Sequence, residues 1–307
     1  MTSEGQIARR QILVIANPTA GSGGSARLEA VVDRLRDLGC SVKLHATEAS
    51  GDAEQFVRNI DCSDIDAIVA AGGDGTVNEV LNGLPEDGPP LAILPLGTVN
   101  VLAREIALSR SIDSIAATIA FGPSRPVTIG EVNGRRFAMM ASVGLDAKVV
   151  DNVSLGLKRY VGKWAYILET FRQIIPSTQS LYRVRIGDTE QKAHGVIIAN
   201  GRHYGGDYVT SPAACLEKPA LDVCRLTRPG RLAVFSYLTS LFLGRFAKRA
   251  DVHIEEATDF KIIGPAGSPV QLDGDVLCRL PASVRVLPAA INLIYPASSE
   301  DGNPRPS

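Results

Sequence analysis

The sequence predicts an α/β protein with two domains, an N-terminal doubly wound parallel α/β domain and a C-terminal β-sandwich domain. Apolar strand patterns alternate with helical patterns over residues 11–120, which is typical of a parallel sheet covered by helices. A Gly-Pro-Ser break at 122–124 ends that alternation, and short strand-like segments separated by turn residues dominate afterwards. We therefore expect domains over residues 1–122 and 123–296 and a disordered tail over 297–307.

The elements of the first domain follow from apolar runs and helical spacing. Strands are predicted at 11–16, 41–46, 66–70 and 91–94, and helices near 25–38, 52–59, directly after Gly75, 99–106 and 111–120. The first helix, for example, carries Leu28, Val31 and Leu35 on one face. In an open α/β sheet, the loops that follow the strands meet at the carboxyl edge, where ligands bind.

The second domain shows shorter segments of alternating pattern. Strands are predicted at 126–132, 135–142, 181–186, 193–199, 221–227, 251–256, 259–263, 268–272, 276–280, 283–287 and 291–294. Two helical patterns, 157–175 and 232–247, interrupt them, and each combines apolar and aromatic residues with nearby Lys and Arg. Such a helix either packs an apolar stripe on the sandwich or lies in a membrane interface with its cations against anionic lipid, and both interpretations stay open.

Composition limits the classes of function. The net charge of −1 gives no support to nucleic-acid binding. Five dispersed cysteines and four dispersed histidines lack metal-site spacing, so the cysteines are expected to be reduced thiols in a cytoplasmic protein. Residues 1–10 are too polar and too short for a signal peptide, and no uncharged apolar stretch reaches about 18 residues, so no membrane span is expected.

The most distinctive motif is AAGGDGTVN at residues 70–78, between a predicted strand and a predicted helix. Its three glycines remove side chains from the turn, so that backbone N–H groups converge at a helix N-terminus and favour an anion. A carboxylate there, Asp74, would repel a phosphate unless a divalent cation lies between them. The motif therefore suggests a nucleotide polyphosphate with its metal, and the alternative is a Gly-rich turn with Asp74 as N-cap.

Two further glycine-containing loops follow predicted strands, NPTAGSGGS at 17–25 and PLGTVN at 95–100. The first also fits the dinucleotide pattern G-x-G-x-x-A, but a dinucleotide-binding fold would leave the GGDGT motif without a role, and no Gly-Lys-Ser/Thr of a P-loop follows. In the second, Gly97 permits close backbone approach, while Thr98 and Asn100 either contact phosphate or ribose or cap a helix.

Asp273-Gly274-Asp275 lies among the β segments of the second domain. On spacing alone a hairpin turn is the stronger interpretation, because Asp-Gly is a frequent turn dipeptide.

Together these motifs resemble the catalytic domain of the diacylglycerol kinase family, which includes sphingosine kinases and bacterial lipid kinases. The matching residues occur in family order over about 11–295 and are Asn17-Pro18 with Gly21, Gly72 to Thr76, Pro95 to Asn100 with Leu102-Ala103, Gly144 to Ala147, and Leu272 to Asp275. The resemblance implies ATP and Mg²⁺ as cofactors and an active site in a cleft between the two domains.

The resemblance also implies roles for single residues. Nucleotide contacts are expected from Asn17, Gly21, Thr47, Gly72, Gly73, Asp74, Gly75, Thr76, Asn78, Gly97, Thr98 and Asn100. Asp74 is the expected metal ligand and a catalytic residue, Asp275 the general base on the lipid hydroxyl, and Asp273 a support for metal or substrate. Asp146 is expected to contact the substrate.

This chain departs from the family pattern in two places. Asp275 occupies a position where many relatives carry Glu. Because the Asp side chain is one methylene shorter, its carboxylate must approach the lipid hydroxyl differently. Lys218 aligns with a carboxylate that holds a structural magnesium in bacterial relatives. Because an ammonium cannot ligate a cation but can replace its charge, we expect that second metal to be missing here.

The sequence therefore predicts an ATP-dependent lipid kinase of phospholipid metabolism that phosphorylates a lipid alcohol such as diacylglycerol. A sphingoid-base or other lipid-alcohol kinase, an NAD kinase and a non-enzymatic lipid or nucleotide sensor are the alternatives. The expected partners are ATP, a lipid alcohol and a transient peripheral contact with the inner membrane surface. A homodimer is left open.

Overall fold

The computed structural model describes residues 9–21, 23–144 and 180–297. Within them the chain forms two compact units that are discontinuous in sequence. The first unit takes its residues from 1–98, 106–126 and 291–307, and the second from 99–105 and 127–290.

The first unit is built on a parallel sheet with strand order β2-β1-β3-β4-β18. Its strands are β1 (Gln11–Ala16), β2 (Ser41–Ala46), β3 (Ala67–Gly72), β4 (Leu91–Pro95) and the end of β18 (Ala282–Ile294), where Leu293 pairs with Leu91. Strand β3 is buried along its whole length, because an interior strand of a parallel sheet has helices on both faces.

Helices connect these strands. They are α1 (Gly24–Asp37), α2 (Asp52–Asn59), α3 (Asp74–Gly83) and α5 (Ile112–Phe121), and a short helix α4 (Val101–Glu105) belongs to the second unit. The predicted stripe of α1 is confirmed, since Val31 and Leu35 join Ile115 and Ile119 of α5 in one core over the sheet.

The second unit is a sandwich of two mainly antiparallel sheets. One contains β5 (Ser124–Val132), β6 (Arg135–Phe137), β8 (Tyr182–Ile186), β9 (Thr189–Ala193), β15 (Asp259–Ile263) and the first part of β18. The other has the order β14-β13-β10-β7-β16-β17, with β7 (Met140–Val143), β10 (Gly195–Ala199), β13 (Leu221–Leu226), β14 (Val252–Ala257), β16 (Pro269–Leu272) and β17 (Asp275–Arg279). Side chains from both sheets fill a shared core that includes Phe137, Tyr182, Val223 and Phe260.

A small hairpin and a helix complete this unit. The hairpin pairs β11 (His203–Tyr204) with β12 (Tyr208–Val209), and the helix is α6 (Arg231–Phe242), followed by a 3₁₀ turn at Phe246–Lys248. No helix in the described part of the chain is both long and apolar enough to cross a bilayer.

The predicted fold class, an α/β domain with a parallel sheet and a β-sandwich domain, is confirmed. Several element boundaries were wrong. The expected strand 135–142 is two strands, because Ala138 and Met139 leave the ladder to bind a carboxylate. The expected strands 283–287 and 291–294 are one long strand, β18, and strand β9 was not predicted. The helix predicted over 232–247 ends at Phe242, and the helix predicted over 157–175 lies outside the described residues.

Candidate active site

Three loops meet at the carboxyl edge of the parallel sheet in the first unit. The Asn17 N–H donates to the Ala71 carbonyl at 3.0 Å, which joins the end of β1 to the end of β3. The N–H groups of Leu96 and Gly97 both donate to the Gly72 carbonyl, at 2.9 and 3.2 Å, which joins the loop after β4 to the same strand end. Backbone hydrogen bonds thus fix the three predicted loops against one another.

Glycine is required where these loops approach most closely. Gly21 has a φ of +65°, and a Cβ at this position would overlap the carbonyl oxygen of Leu96. At Gly73 the space is less restricted, since a Cβ would lie 3.8 Å from the Cα of Gly97, an ordinary contact distance, and glycine there simply leaves the main chain bare. The glycines therefore leave a cradle lined by main chain, which is the surface that a polyphosphate binds.

Asp74 is the first residue of α3, directly beside this cradle. Gly73 occupies the N-cap position, so the alternative in which Asp74 is the cap does not describe the turn. Its half-buried carboxylate lies in the first turn, where the helix dipole favours negative charge.

The described residues contain no group of three His, Cys, Asp or Glu side chains placed to hold a metal ion. A single carboxylate beside a phosphate cradle nevertheless fits Mg²⁺ that arrives with a nucleotide, because Mg²⁺ usually keeps waters and phosphate oxygens among its six ligands.

The remaining predicted nucleotide residues of this unit differ in accessibility. Asn17 is half-buried, and its Oδ1 accepts hydrogen bonds from the N–H and hydroxyl of Thr19, which orders the turn after β1. Thr47 follows β2, and its N–H donates to the Ala16 carbonyl. Thr98 is exposed.

Two other predicted contacts, Thr76 and Asn78, are buried within α3. A Cβ on Gly72 would overlap the Thr76 hydroxyl, so the threonine packs against the end of β3. Asn78 is 3% exposed, and its Oδ1 accepts a hydrogen bond from Asn82 at 3.1 Å. Both side chains support the helix from inside.

Asn100 directly precedes α4 in the second unit. Its carbonyl accepts the Arg104 N–H at 3.2 Å, and its φ of +51° lies in the left-handed region that Asn tolerates better than most residues. The Asn100 carbonyl therefore closes the first turn of α4.

The Asp273-Gly274 pair forms a tight hairpin turn between β16 and β17. Both residues have positive φ, +47° and +101°, as two-residue hairpin turns of the primed type require. The predicted turn is therefore present, and it presents Asp275 as the first residue of β17, where its side chain is exposed.

The Asp273 side chain turns inward from this hairpin. It is only 9% exposed, and its carboxylate accepts the N–H groups of Ala138, Met139 and Met140 at 2.7, 2.9 and 3.1 Å. Both carboxylate oxygens accept hydrogen bonds from main-chain N–H groups, so the geometry favours a supporting role for Asp273 over metal ligation. The predicted substrate residue Asp146 lies outside the described residues.

Sequence reasoning missed a buried carboxylate at the end of α4. Glu105 accepts the backbone N–H groups of Arg202 and His203, both at 3.1 Å, and its Oε2 lies 2.5 Å from His203 Nδ1. Burial acts to raise its pKa, but the hydrogen bonds and the charge of His203 prevail and lower it. No local pattern signals this contact, because the partners are nearly 100 residues apart.

Lys218 lies beside carboxylates of the second unit. Its Nζ is 2.5 Å from Glu256 Oε1, and this hydrogen bond, helped by the nearby charge of Asp222, raises the pKa of Lys218. Asp222 is buried and accepts the Ser211 hydroxyl. Because the ammonium occupies the space beside Glu256 and offsets one of the two carboxylate charges, these residues do not fit a second, structural Mg²⁺.

Comparisons with known proteins identify the family of this chain. The family profile described as "Diacylglycerol kinase catalytic domain" matches residues 11–132, and the one described as "YegS C-terminal NAD kinase beta sandwich-like domain" matches residues 139–295. A protein named "Diacylglycerol kinase" from Bacillus subtilis (strain 168) is 28% identical over 292 residues, covering 92% of this chain and 95% of the relative.

A protein of Pseudomonas aeruginosa strain PAO1 named "Probable lipid kinase YegS-like" is 31% identical over 288 residues, covering 90% of this chain and 92% of the relative. A crystal structure of a diacylglycerol kinase from Bacillus anthracis str. Sterne superposes with a TM-score of 0.78 at 26% identity, over 94% of this chain and 97% of that one. With both domain profiles matched in order along the chain, the protein is a member of the diacylglycerol kinase and YegS-like lipid kinase family.

Proposed function

We propose that the protein transfers the γ-phosphoryl group of ATP to a hydroxyl group of a lipid such as diacylglycerol. The observation that carries the proposal is the glycine cradle formed by three strand-end loops, with the carboxylate of Asp74 at its rim. Phosphoryl transfer requires alignment of the phosphates, neutralisation of their charge and acceptance of the hydroxyl proton. Family membership supports the assignment of this class of reaction.

The nucleotide half of the site is assigned to the first unit. Main-chain groups around Gly21, Gly73 and Gly97 hold the phosphates, and the exposed Thr98 hydroxyl donates to a phosphate or ribose oxygen. Asp74 would hold Mg²⁺, which, when bound, neutralises the charge of the phosphate oxygens. Thr47 lies at the end of β2 and contributes a further polar contact.

Proton transfer is assigned to Asp275. Its exposed position at the start of β17 supports this role, because a general base must reach the hydroxyl of an incoming substrate. Asp273 acts as a positioning residue, since its bonds to the 138–140 main chain hold the hairpin that carries Asp275.

The acceptor is a lipid alcohol that resides in a membrane, so we infer a transient peripheral encounter between the enzyme and the bilayer surface. The family profiles and the names of the relatives support a lipid acceptor. The assay described next compares diacylglycerol directly with a sphingoid base as acceptor.

A panel assay tests the proposal. Purified protein, Mg²⁺ and γ-labelled ATP are incubated separately with diacylglycerol, a sphingoid base, a monoacylglycerol and NAD. We expect label in the phospholipid product of one or more lipid alcohols and none in NADP. Label only in NADP, or no transfer although ATP binds, would contradict the proposal.

A further inference from the structure

Helix α6 of the second unit presents an apolar face to solvent. Residues 232–244 contain no Asp, Glu, Lys or Arg, although surface helices normally place charged residues on their outer side. The helix lies apart in sequence from every residue assigned to phosphoryl transfer above. The apolar surface of α6 is therefore not explained by the residues assigned to phosphoryl transfer.

The inner face of α6 is ordinary core. Ala233, Tyr237 and Leu241 pack with Ile197 and Phe246 in a small hydrophobic cluster. This packing fixes the helix on the sandwich and uses only one side of it.

The outer face consists of residues spaced three and four apart. Leu232, Phe235 and Leu243 share it and are 81%, 51% and 63% exposed. Thr239 lies between them on the same face. Leucine and phenylalanine side chains that are at least half exposed in one row form an apolar patch of the kind that marks an interaction surface.

Cations border this patch. A groove of about 530 Å³ runs beside α6 and is lined by Phe235, Ser236, Thr239, Ser240, Leu243, Arg245, Lys248 and Arg249. Arg249 is fixed, because it pairs with Asp251 at 2.7 Å and lies 4.7 Å above the Tyr237 ring. Arg245 and Lys248 are exposed and form no ion pair with any residue that the structure describes. The described lining thus offers three cations, three hydroxyls and no carboxylate.

We propose that this surface docks on a bilayer that contains anionic phospholipid. Leu232, Phe235 and Leu243 would enter the acyl boundary, while Arg245 and Lys248 would face the phosphodiester groups. The charge complementarity selects this partner, since an apolar row bordered by unpaired cations and hydroxyls matches the layered chemistry of such a membrane. With 12 residues, α6 can lie in the plane of the membrane interface but is too short to span the bilayer.

Vesicle co-sedimentation tests the proposal without turnover, so its outcome is independent of the proposed function. Wild-type protein should bind phosphatidylglycerol-containing vesicles, bind pure phosphatidylcholine weakly, and be released as salt shortens the Debye length. Arg245→Gln with Lys248→Gln should weaken binding roughly 30-fold, at about fivefold for each cation removed. Leu232→Ser with Leu243→Ser should weaken it on the order of 10-fold or more.

A matched control comes from β2, where Lys43 and Leu44 are an adjacent exposed cation and apolar side chain. Lys43→Gln with Leu44→Ser should leave vesicle binding unchanged. Far-UV circular dichroism of every variant checks folding. Wild-type protein that binds neither vesicle, or α6 and control variants that bind equally well, would overturn the proposal. So would a wild-type dimer in gel filtration that Leu232→Ser with Leu243→Ser dissociates, because a second copy would then cover the patch.

Discussion

Replacing Asp273 with asparagine isolates the supporting role assigned to this carboxylate. In the wild type, Oδ2 accepts the Ala138 N–H at 2.7 Å, and Oδ1 accepts those of Met139 and Met140. Asparagine keeps one acceptor oxygen, so it can retain the pair at Oδ1. Its amide nitrogen then faces the Ala138 N–H. Because both groups are hydrogen-bond donors, the Ala138 N–H is left without an acceptor in a buried site.

The expected cost has two parts. A hydrogen bond to a charged group contributes about 1.5–3 kcal/mol, and a buried donor left without a partner costs about 1–3 kcal/mol. The sum is about 2.5–6 kcal/mol, or a fall in Tm of roughly 5–24 °C for a domain of this size. Differential scanning calorimetry measures the change directly.

The matched control is Asp275→Asn, the same chemical change two residues further along the same hairpin. Asp275 is exposed, so its replacement should move Tm by no more than about 1–2 °C, since surface substitutions usually stay within about 0.5 kcal/mol. Equal Tm values for the two variants would refute the reasoning, because Asp273 would then have no supporting role beyond that of a surface carboxylate.

Further predictions concern the cradle, the acidic group around Lys218 and the Glu105 contact. Gly21→Ala should weaken ATP binding at least 10-fold in calorimetric titration, because the added Cβ would displace Leu96. The control is Gly23→Ala, since Gly23 also has positive φ but has open space around it. This control variant should bind ATP nearly as wild type does. Mg²⁺ without nucleotide should leave Tm within about 1 °C, since the Lys218 ammonium already lies against the Glu256 carboxylate, and a large rise would show a metal bound despite the ammonium. Because the pKa of Glu105 lies below its ordinary value of 4.5, this group stabilises the fold above that value, and its contribution is lost as pH falls through the depressed pKa. In Glu105→Gln, the free energy of unfolding should therefore fall less steeply at acid pH than in the wild type. An unchanged acid dependence would exclude Glu105 as the cause of that fall.

The sequence predicted the local features of this molecule well. Apolar strands ending in glycine loops indicated the parallel sheet and the loops at its carboxyl edge, because both depend on residues that are near one another in the chain. The Asp-Gly turn at 273–274 was predicted on the same basis. The backbone geometry of this turn follows from Asp273 and Gly274, which both adopt positive φ.

The features that escaped prediction depend on distant residues. Asp273 was expected to support metal or substrate, yet its carboxylate binds main chain 133–135 positions away, and no periodic pattern encodes that contact. The Glu105 contact with His203 is of the same kind. In α6, the pattern could not show which side faces the core, since apolar residues occur around the whole helix. Burial of Tyr237 and exposure of Leu232 distinguish the two faces.

Asp74 and Asp275 are the residues proposed to carry out phosphoryl transfer from ATP to a lipid hydroxyl. The most direct measurement is the kcat for a short-chain, water-soluble diacylglycerol, since this acceptor needs no membrane docking. We expect turnover by wild-type protein with Mg²⁺, a loss of about 10²-fold or more in Asp74→Asn, and a loss of about 10²–10⁴-fold in Asp275→Asn with ATP affinity retained. Wild-type turnover that persists in both folded variants would contradict the account.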